Sequence, residues 1–227
     1  MKIRVIITGA TGMVGEGVLI ECLAHPDVEQ ILVVGRRTCG RVHPKMTEIL
    51  HNDFMNISPI ADMLAGYDAF FFCMGVSSIR KKEDEYYKLT YELTINFAVE
   101  FKKQNPDRKI TFCYVSGYAT DSSERGKSMW ARIKGKTENR LIEIFGNGAY
   151  MFRPGYMKPT KGQKNVLTAY FGWQISYPFM KLLMPRFTCT LKEVGLAMIG
   201  CALGGYSKNI LEVKDIIEVG ELSSEKY

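Results

Sequence analysis

The run Thr8-Gly9-Ala10-Thr11-Gly12-Met13-Val14-Gly15 places three glycines at regular spacing between an apolar, β-branched stretch (Ile3–Thr8) and a helical pattern (Met13–Ala24). In a strand–turn–helix context Gly9 permits the tight turn, Gly12 lets a ligand approach the backbone, and Gly15 lets the helix pack close to the strand. The turn N–H groups and the positive helix end then suit a diphosphate, with Thr11 and Met13 beside it. A second apolar strand, residues 31–35, ends in Gly35-Arg36-Arg37. A site selective for a ribose 2′-hydroxyl usually carries a carboxylate here. Two guanidinium groups match a 2′-phosphate in charge and in forked donor geometry. The pattern therefore points to a dinucleotide, NADP(H) in preference to NAD(H). Asp53 and Phe54 fall where a third strand should end. An Asp there can accept from an adenine amine with the aromatic packed beside it, or can simply close a turn.

Positioning such a turn requires a parallel sheet, and the apolar runs supply one. Strands are expected at residues 3–8, 31–35, 48–50, 69–73, 110–115 and 149–152, with helices at 13–24, 86–103 and 129–145. In the first helix Val14, Val18, Leu19 and Cys22 share a face; in the second Tyr87, Tyr91, Leu93, Phe97, Val99 and Phe101 form the apolar side. Short apolar strands alternating with amphipathic helices predict an α/β, doubly wound parallel sheet, the Rossmann fold, with strand order 3-2-1-4-5-6. After Pro154 the pattern loosens until residues 210–213, which read as a last strand. The expected organisation is one domain over residues 1–227: a core over 1–157, and a small C-terminal cap, last strand and terminal segment over 158–227.

The bulk composition narrows the class further. With 46% hydrophobic and 24% charged residues the chain can bury a core, and its net charge of +6 comes with no nucleic-acid-binding motif. The six cysteines form no CxxC pair and, with three histidines, no zinc-like spacing, so no metal site is expected. Unpaired cysteines suit a reducing compartment, and the expected location is the cytoplasm. The longest apolar stretch, residues 166–185, is broken by Gln174 and Lys181 and falls short of the ~20 clean apolar residues of a membrane span. Membrane contact is accordingly not expected.

Further motifs resemble a known family. Cys73-Met74-Gly75 ends the fourth strand, Tyr114 to Ala119 read YVSGYA, Lys134 to Glu138 read KGKTE, and Arg153-Pro154-Gly155 follow the sixth strand. With the glycine turn, the GRR run and the Asp53-Phe54 pair, the chain resembles the atypical or extended short-chain dehydrogenases/reductases, the NAD(P)-binding nucleoside-diphosphate-sugar epimerase-like proteins. Within them it is most similar to the Tat-interacting tumour-suppressor reductase subgroup, where NADPH binding is typical. The resemblance implies that Cys73, Met74 and Gly75 pass close to the cofactor, and that Ser116 hydrogen-bonds the substrate oxygen or a catalytic tyrosine. It implies that Lys134 grips the nicotinamide ribose, and that Arg153, Pro154 and Gly155 form a turn near the nicotinamide. It also allows for a homodimer through the helices at 86–103 and 129–145.

One departure bears on activity. The family pattern is YxxxK on one helix, which puts phenol and ammonium on the same face. Here Trp130 stands four residues before Lys134. An indole N–H donates a hydrogen bond but is no acid or base near neutral pH. Tyr118, two residues past Ser116, is a replacement phenol at the mouth of the expected site; Tyr86, Tyr87 and Tyr156 are others. Three readings stand: an NADP(H)-dependent oxidoreductase or epimerase-like enzyme with an altered acid acting on an unidentified small molecule, an inactive NADP(H)-binding sensor or partner-binding module, and, least favoured, a membrane-associated scaffold using the aromatic stretch from Tyr170 to Leu183.

Overall fold

The computed structural model describes residues 2–164 and 177–224. Among these, the strands are β1 (Ile3–Thr8), β2 (Val28–Gly35), β3 (Met46–Leu50), β4 (Ala69–Phe72), β5 (Thr111–Val115), β6 (Ala149–Arg153), β7 (Tyr156–Lys158), β8 (Thr188–Thr190) and β9 (Ile210–Glu212). The main helices are α1 (Met13–Ala24), α2 (Glu83–Tyr87), α3 (Leu93–Gln104), α4 (Met129–Phe145), α5 (Leu191–Gly204) and α6 (Val213–Ser224). The large sheet is parallel and ordered β3-β2-β1-β4-β5-β6-β9, the expected order extended by one strand; β7 and β8 form a separate parallel pair. The order reverses between β1 and β4, so the crevice at their carboxyl ends is the topological switch point where ligands bind in this architecture.

Period-2 alternation divides each strand between two cores. Val5, Ile7, Phe71, Cys113 and Phe152 point to the side covered by α1, α5 and α6. Ile6, Leu32, Val34, Phe70, Phe72, Phe112 and Met151 point to the other side, where Leu93, Phe97 and Phe101 of α3 and Leu141 of α4 meet them. That second core is aromatic: Phe70 stacks on Phe112 at 5.1 Å, and Phe97 meets Phe54, Phe70 and Phe72 edge-on at 5.4, 5.7 and 6.0 Å.

Two expectations need correction. The C-terminal part does not lie as a cap over the strand ends from Leu191 onward. β9 joins the sheet as the expected last strand, but α5 and α6 complete a helical layer with α1, burying Val194, Ala197, Met198, Ile216 and Val219 in the same core as Val18 and Leu19. The capping box of Thr190 and Glu193 starts α5. The apolar continuity of α5 is the mark of a buried helix, which amphipathic periodicity does not detect. The helix expected over residues 86–103 is also not uniform. α2 runs into α3 through a turn of π-helix at Lys88–Glu92, which shifts the phase of the helix faces. Tyr87 and Tyr91 stack on each other at 4.8 Å beneath Lys136, while Leu93, Phe97 and Phe101 carry the burial and Val99, off that stripe, is exposed.

Among the described residues no helix is long and apolar enough to cross a membrane, and no cluster of His, Cys, Asp and Glu is placed to hold a metal ion. Within the apolar stretch at 166–185, residues up to 176 lie outside those described. Truncating Phe97, which is fully buried, to Ala is expected to cost about 3–5 kcal/mol in urea unfolding, whereas Val99→Ala should stay within about 0.5 kcal/mol.

Candidate functional site

The glycine turn is held by backbone-to-backbone contact. β1 ends level with β4, with Thr8 opposite Phe72. Gly9 follows at φ +75°, and a Cβ on it would lie 2.8 Å from backbone atoms of Cys73 and Met74. Any other residue would be strained twice, by conformation and by collision. The Gly12 N–H donates to the Gly9 carbonyl at 2.8 Å and closes the turn. A Cβ at Gly15 would run into that same carbonyl, so Gly15 lets α1 start directly behind the turn. No side chain caps α1 at Gly12, which leaves the N–H groups of the first turn for a ligand.

The cleft at the switch point is lined by Gly9, Ala10, Thr11, Gly12, Val33, Gly35, Arg36, Arg37, Phe54, Cys73, Met74 and Gly75. The structure thus gathers most of the expected cofactor residues. Ala10 and Val33 join them; both are apolar floor residues whose only sequence signal was adjacency to the motifs. A dinucleotide fits these residues chemically. Side-chain-free backbone at Gly9 and Gly12 meets an uncapped helix, and the buried Thr8 hydroxyl just before the turn has no partner among the described residues. Arg36 and Arg37 supply exposed cations, with the Arg36 guanidinium 5.9 Å from the centroid of the Phe54 ring.

Seven expected contributors lie outside the cleft lining: Met13, Gly15, Asp53, Lys134, Arg153, Pro154 and Gly155. Met13 is covered on its carbonyl by Gln163 Nε2 at 2.7 Å. Gly15 serves packing. Asp53 closes a turn, its Oδ1 accepting from the N–H groups of Met55 and Asn56 at 3.0 and 3.3 Å.

Ser116 leaves β5 at the same carboxyl edge, two residues past Tyr114, which pairs with Phe72. It is buried, and its Oγ donates to the Phe152 carbonyl at 3.0 Å. Its own carbonyl accepts from Lys134 Nζ. Desolvation lowers the Lys134 pKa to about 8, against the opposing charge of Glu138 one turn along α4. Glu138 is itself fully buried and paired with Arg153, Nε to Oε1 at 3.0 Å and Nη2 to Oε2 at 2.5 Å. Arg153 also reaches Glu212 at 3.3 Å and Ser122 Oγ at 2.5 Å.

The resemblance had placed the Arg153-Pro154-Gly155 turn beside the cofactor; the structure gives it another task. Arg153 is engaged by its acidic partners, because a guanidinium leaving the sheet next to a buried carboxylate satisfies that carboxylate first. The Pro154 carbonyl accepts from the Tyr118 N–H at 2.9 Å. Gly155 is required by Phe187, whose backbone and ring would collide with a Cβ there. Tyr118 is 51% exposed and meets Phe187 edge-on at 5.0 Å. Trp130 is half-buried in the first turn of α4. Tyr86 is buried, Tyr87 is stacked on Tyr91, and Tyr156 is buried 6.0 Å from the ring of Tyr177.

A glycine turn between a buried strand and an uncapped helix, at the switch point of a doubly wound sheet, defines an NAD(P)-binding Rossmann protein of the short-chain dehydrogenase/reductase type. The chain belongs to the NAD dependent epimerase/dehydratase family, whose model matches residues 5–128, more than half of its 227 residues. It is similar to Protein fmp52-1, mitochondrial, of Aspergillus terreus, 25% identical over 170 residues covering 73% of this chain and 71% of that protein. It is also similar to HTATIP2 of Rattus norvegicus, 23% identical over 155 residues covering 67% of this chain and 62% of the rat protein. Among solved structures, UDP-N-acetylglucosamine 4-epimerase from Methanobrevibacter ruminantium M1, in complex with UDP-N-acetylmuramic acid, superposes with a TM-score of 0.64 at 14% identity, over 96% of this chain and 81% of that one. WbmF from Bordetella bronchiseptica, in complex with NAD+, gives 0.62 at 14% identity, over 100% of this chain and 80% of that one. At these identities the structural likenesses speak for the fold.

The Glu138–Arg153 pair yields a stability test. Glu138→Gln leaves the largely buried Arg153 guanidinium with only the more exposed Glu212 as a charged partner among the described residues and is expected to destabilise the protein by about 3 kcal/mol in urea unfolding. Removing the acid also removes the charge that props up the Lys134 pKa, which should fall below its wild-type value in an NMR titration.

Proposed function

We propose that this protein binds NADP(H) in the switch-point cleft and has lost the phenol that serves the family as proton donor. The observation that carries the reading is that Arg36 and Arg37, with no acid beside them, line the same cleft as the glycine turn. Ser116 and Lys134 stand at the neighbouring strand end, and an ammonium with one N–H on the Ser116 carbonyl keeps two donors for ribose hydroxyls. When bound, the cofactor supplies hydride transfer; the protein residues bind it, orient it and exclude water. With Trp130 four residues before Lys134, no proton donor faces the ammonium at the family's position. The function best supported is therefore an NADP(H)-binding protein of reductase descent, acting as a cofactor-dependent sensor or with activity limited by its missing acid.

Binding should favour NADPH over NADH by tenfold or more in a fluorescence titration, since a charge-assisted contact to phosphate is worth about 1.5–3 kcal/mol. Equal affinities would refute the NADP(H) assignment. Gly12→Val should abolish binding of both nucleotides by placing a side chain on the backbone cradle. The Lys134 ammonium is charged below its pKa of about 8 and neutral above it. Affinity should thus weaken as pH rises through that value, and Lys134→Met should be weaker at neutral pH and lose this pH dependence.

A second reading, a carbonyl reductase using Tyr118 as the acid, is favoured by the exposure of that ring beside Phe187. Steady-state assays with NADPH and a carbonyl panel separate the two. If the site has lost its acid, Trp130→Tyr should gain reduction, because it restores a phenol one helical turn from an ammonium. Trp130→Phe should then leave affinity and activity unchanged. Strong wild-type reduction that disappears in Tyr118→Phe would establish the second reading instead.

A further inference from the structure

The cationic excess of this chain is concentrated. Residues 154–192 contain Lys158, Lys161, Lys164, Lys181, Arg186 and Lys192 and no Asp or Glu, which accounts for the whole net charge of +6; elsewhere 24 cations balance 24 acids. Within this acid-free span residues 177–183 are helical. One side of that helix faces the protein: Tyr177 is buried, its ring 6.0 Å from Tyr156, with Lys158 Nζ 5.1 Å from its centroid. The other side carries Phe179, Leu182 and Leu183, spaced i, i+3, i+4 and hence on one face. These are 63, 79 and 60% exposed, and Met184 beyond them is exposed as well. Lys181 within the helix and Arg186 just after it are also exposed.

Single exposed apolar residues such as Val42 and Ile79 need no explanation. Several on one helical face, with the exposed cations Lys181 and Arg186 in and just after the same helix, form a surface that water disfavours and that offers positive charge. An anionic bilayer satisfies both features together, because apolar side chains enter the headgroup boundary while lysine and arginine meet lipid phosphates. Such binding lies on the membrane and needs no span. We propose that this face, built on Phe179, Leu182 and Leu183 with Lys181 and Arg186 in and just after the same helix, docks the protein onto an anionic lipid surface. Phe187, just past the helix, packs on Tyr118, so the docked face adjoins the mouth of the candidate site.

The test is flotation of the purified full-length protein with vesicles of phosphatidylcholine alone or mixed with phosphatidylserine. Binding to the mixed vesicles, absent with phosphatidylcholine and weakened by salt, is expected. Lys181→Ala and Arg186→Ala should each weaken it by about fivefold, the scale for a cation at an anionic surface. Leu182→Glu should abolish it. All three positions are exposed and outside the cofactor cleft, so thermal melting and NADPH titration should match wild type and separate a docking defect from misfolding or loss of the nucleotide site. No flotation with either vesicle, or equal flotation with both, would overturn the proposal. So would self-association in sedimentation velocity that Leu182→Glu removes without any vesicle binding, since the face would then be an interface between copies.

Discussion

The close approach of two backbones at Gly9 is the contact on which the rest of the site depends. β1 and β4 end side by side, and the chain turns between them with no room for a Cβ. The turn then brings Gly15 against its own carbonyl, so α1 begins at once and its open N-terminus is aimed from the switch point. A bulkier turn would move that helix end away from the crevice and separate it from Arg36, Arg37 and Phe54, which arrive on β2 and the loop after β3. This side of the cleft therefore inherits its geometry from main-chain packing, and the side chains add charge and an aromatic wall. Behind Phe54 stands Phe97 in the aromatic core, so that wall is as firm as the α3–sheet contact beneath it.

The opposite side of the crevice is organised by charge. Glu138 is fully buried, and the two-point contact with Arg153 satisfies its carboxylate. Arg153 in turn ties the end of β6 to β9 and to the loop carrying Ser122. Lys134, one turn before Glu138, is desolvated and held on the Ser116 carbonyl. Burial lowers its pKa while the neighbouring acid limits the fall. The helix that presents Lys134 is thereby fixed to three strand ends, whereas Trp130 at its start remains half-buried.

Much of this was legible in the residues themselves. Strand alternation, the glycine spacing and the arginine pair are local patterns with a local physical cause, and they led to the parallel sheet, its order and the lining of the cleft. The resemblance to reductases pointed to Ser116 and Lys134, which the fold brings together, the Lys134 ammonium donating to the Ser116 carbonyl. It also assigned Arg153 to the cofactor, because a motif records which residue follows a strand and not which buried acid that residue will meet. Asp53 was ambiguous for a related reason: an Asp can serve a ligand or its own turn, and the choice depends on where the next backbone N–H groups fall.

By itself the sequence determined the architecture, the nucleotide turn and the lack of a tyrosine before Lys134, since periodicity, glycine spacing and residue identity act over a few neighbouring positions. Tertiary structure decided that the helices flanking the last strand, Leu191–Gly204 and Val213–Ser224, build a layer over the sheet. The same is true of the phase shift at Lys88–Glu92, the capture of Arg153 by Glu138 and Glu212, and the outward face of Phe179, Leu182 and Leu183. Each of these depends on partners distant in the chain, and whether an apolar or charged side chain ends in a core, in an ion pair or in solvent is settled only when those partners are brought beside it.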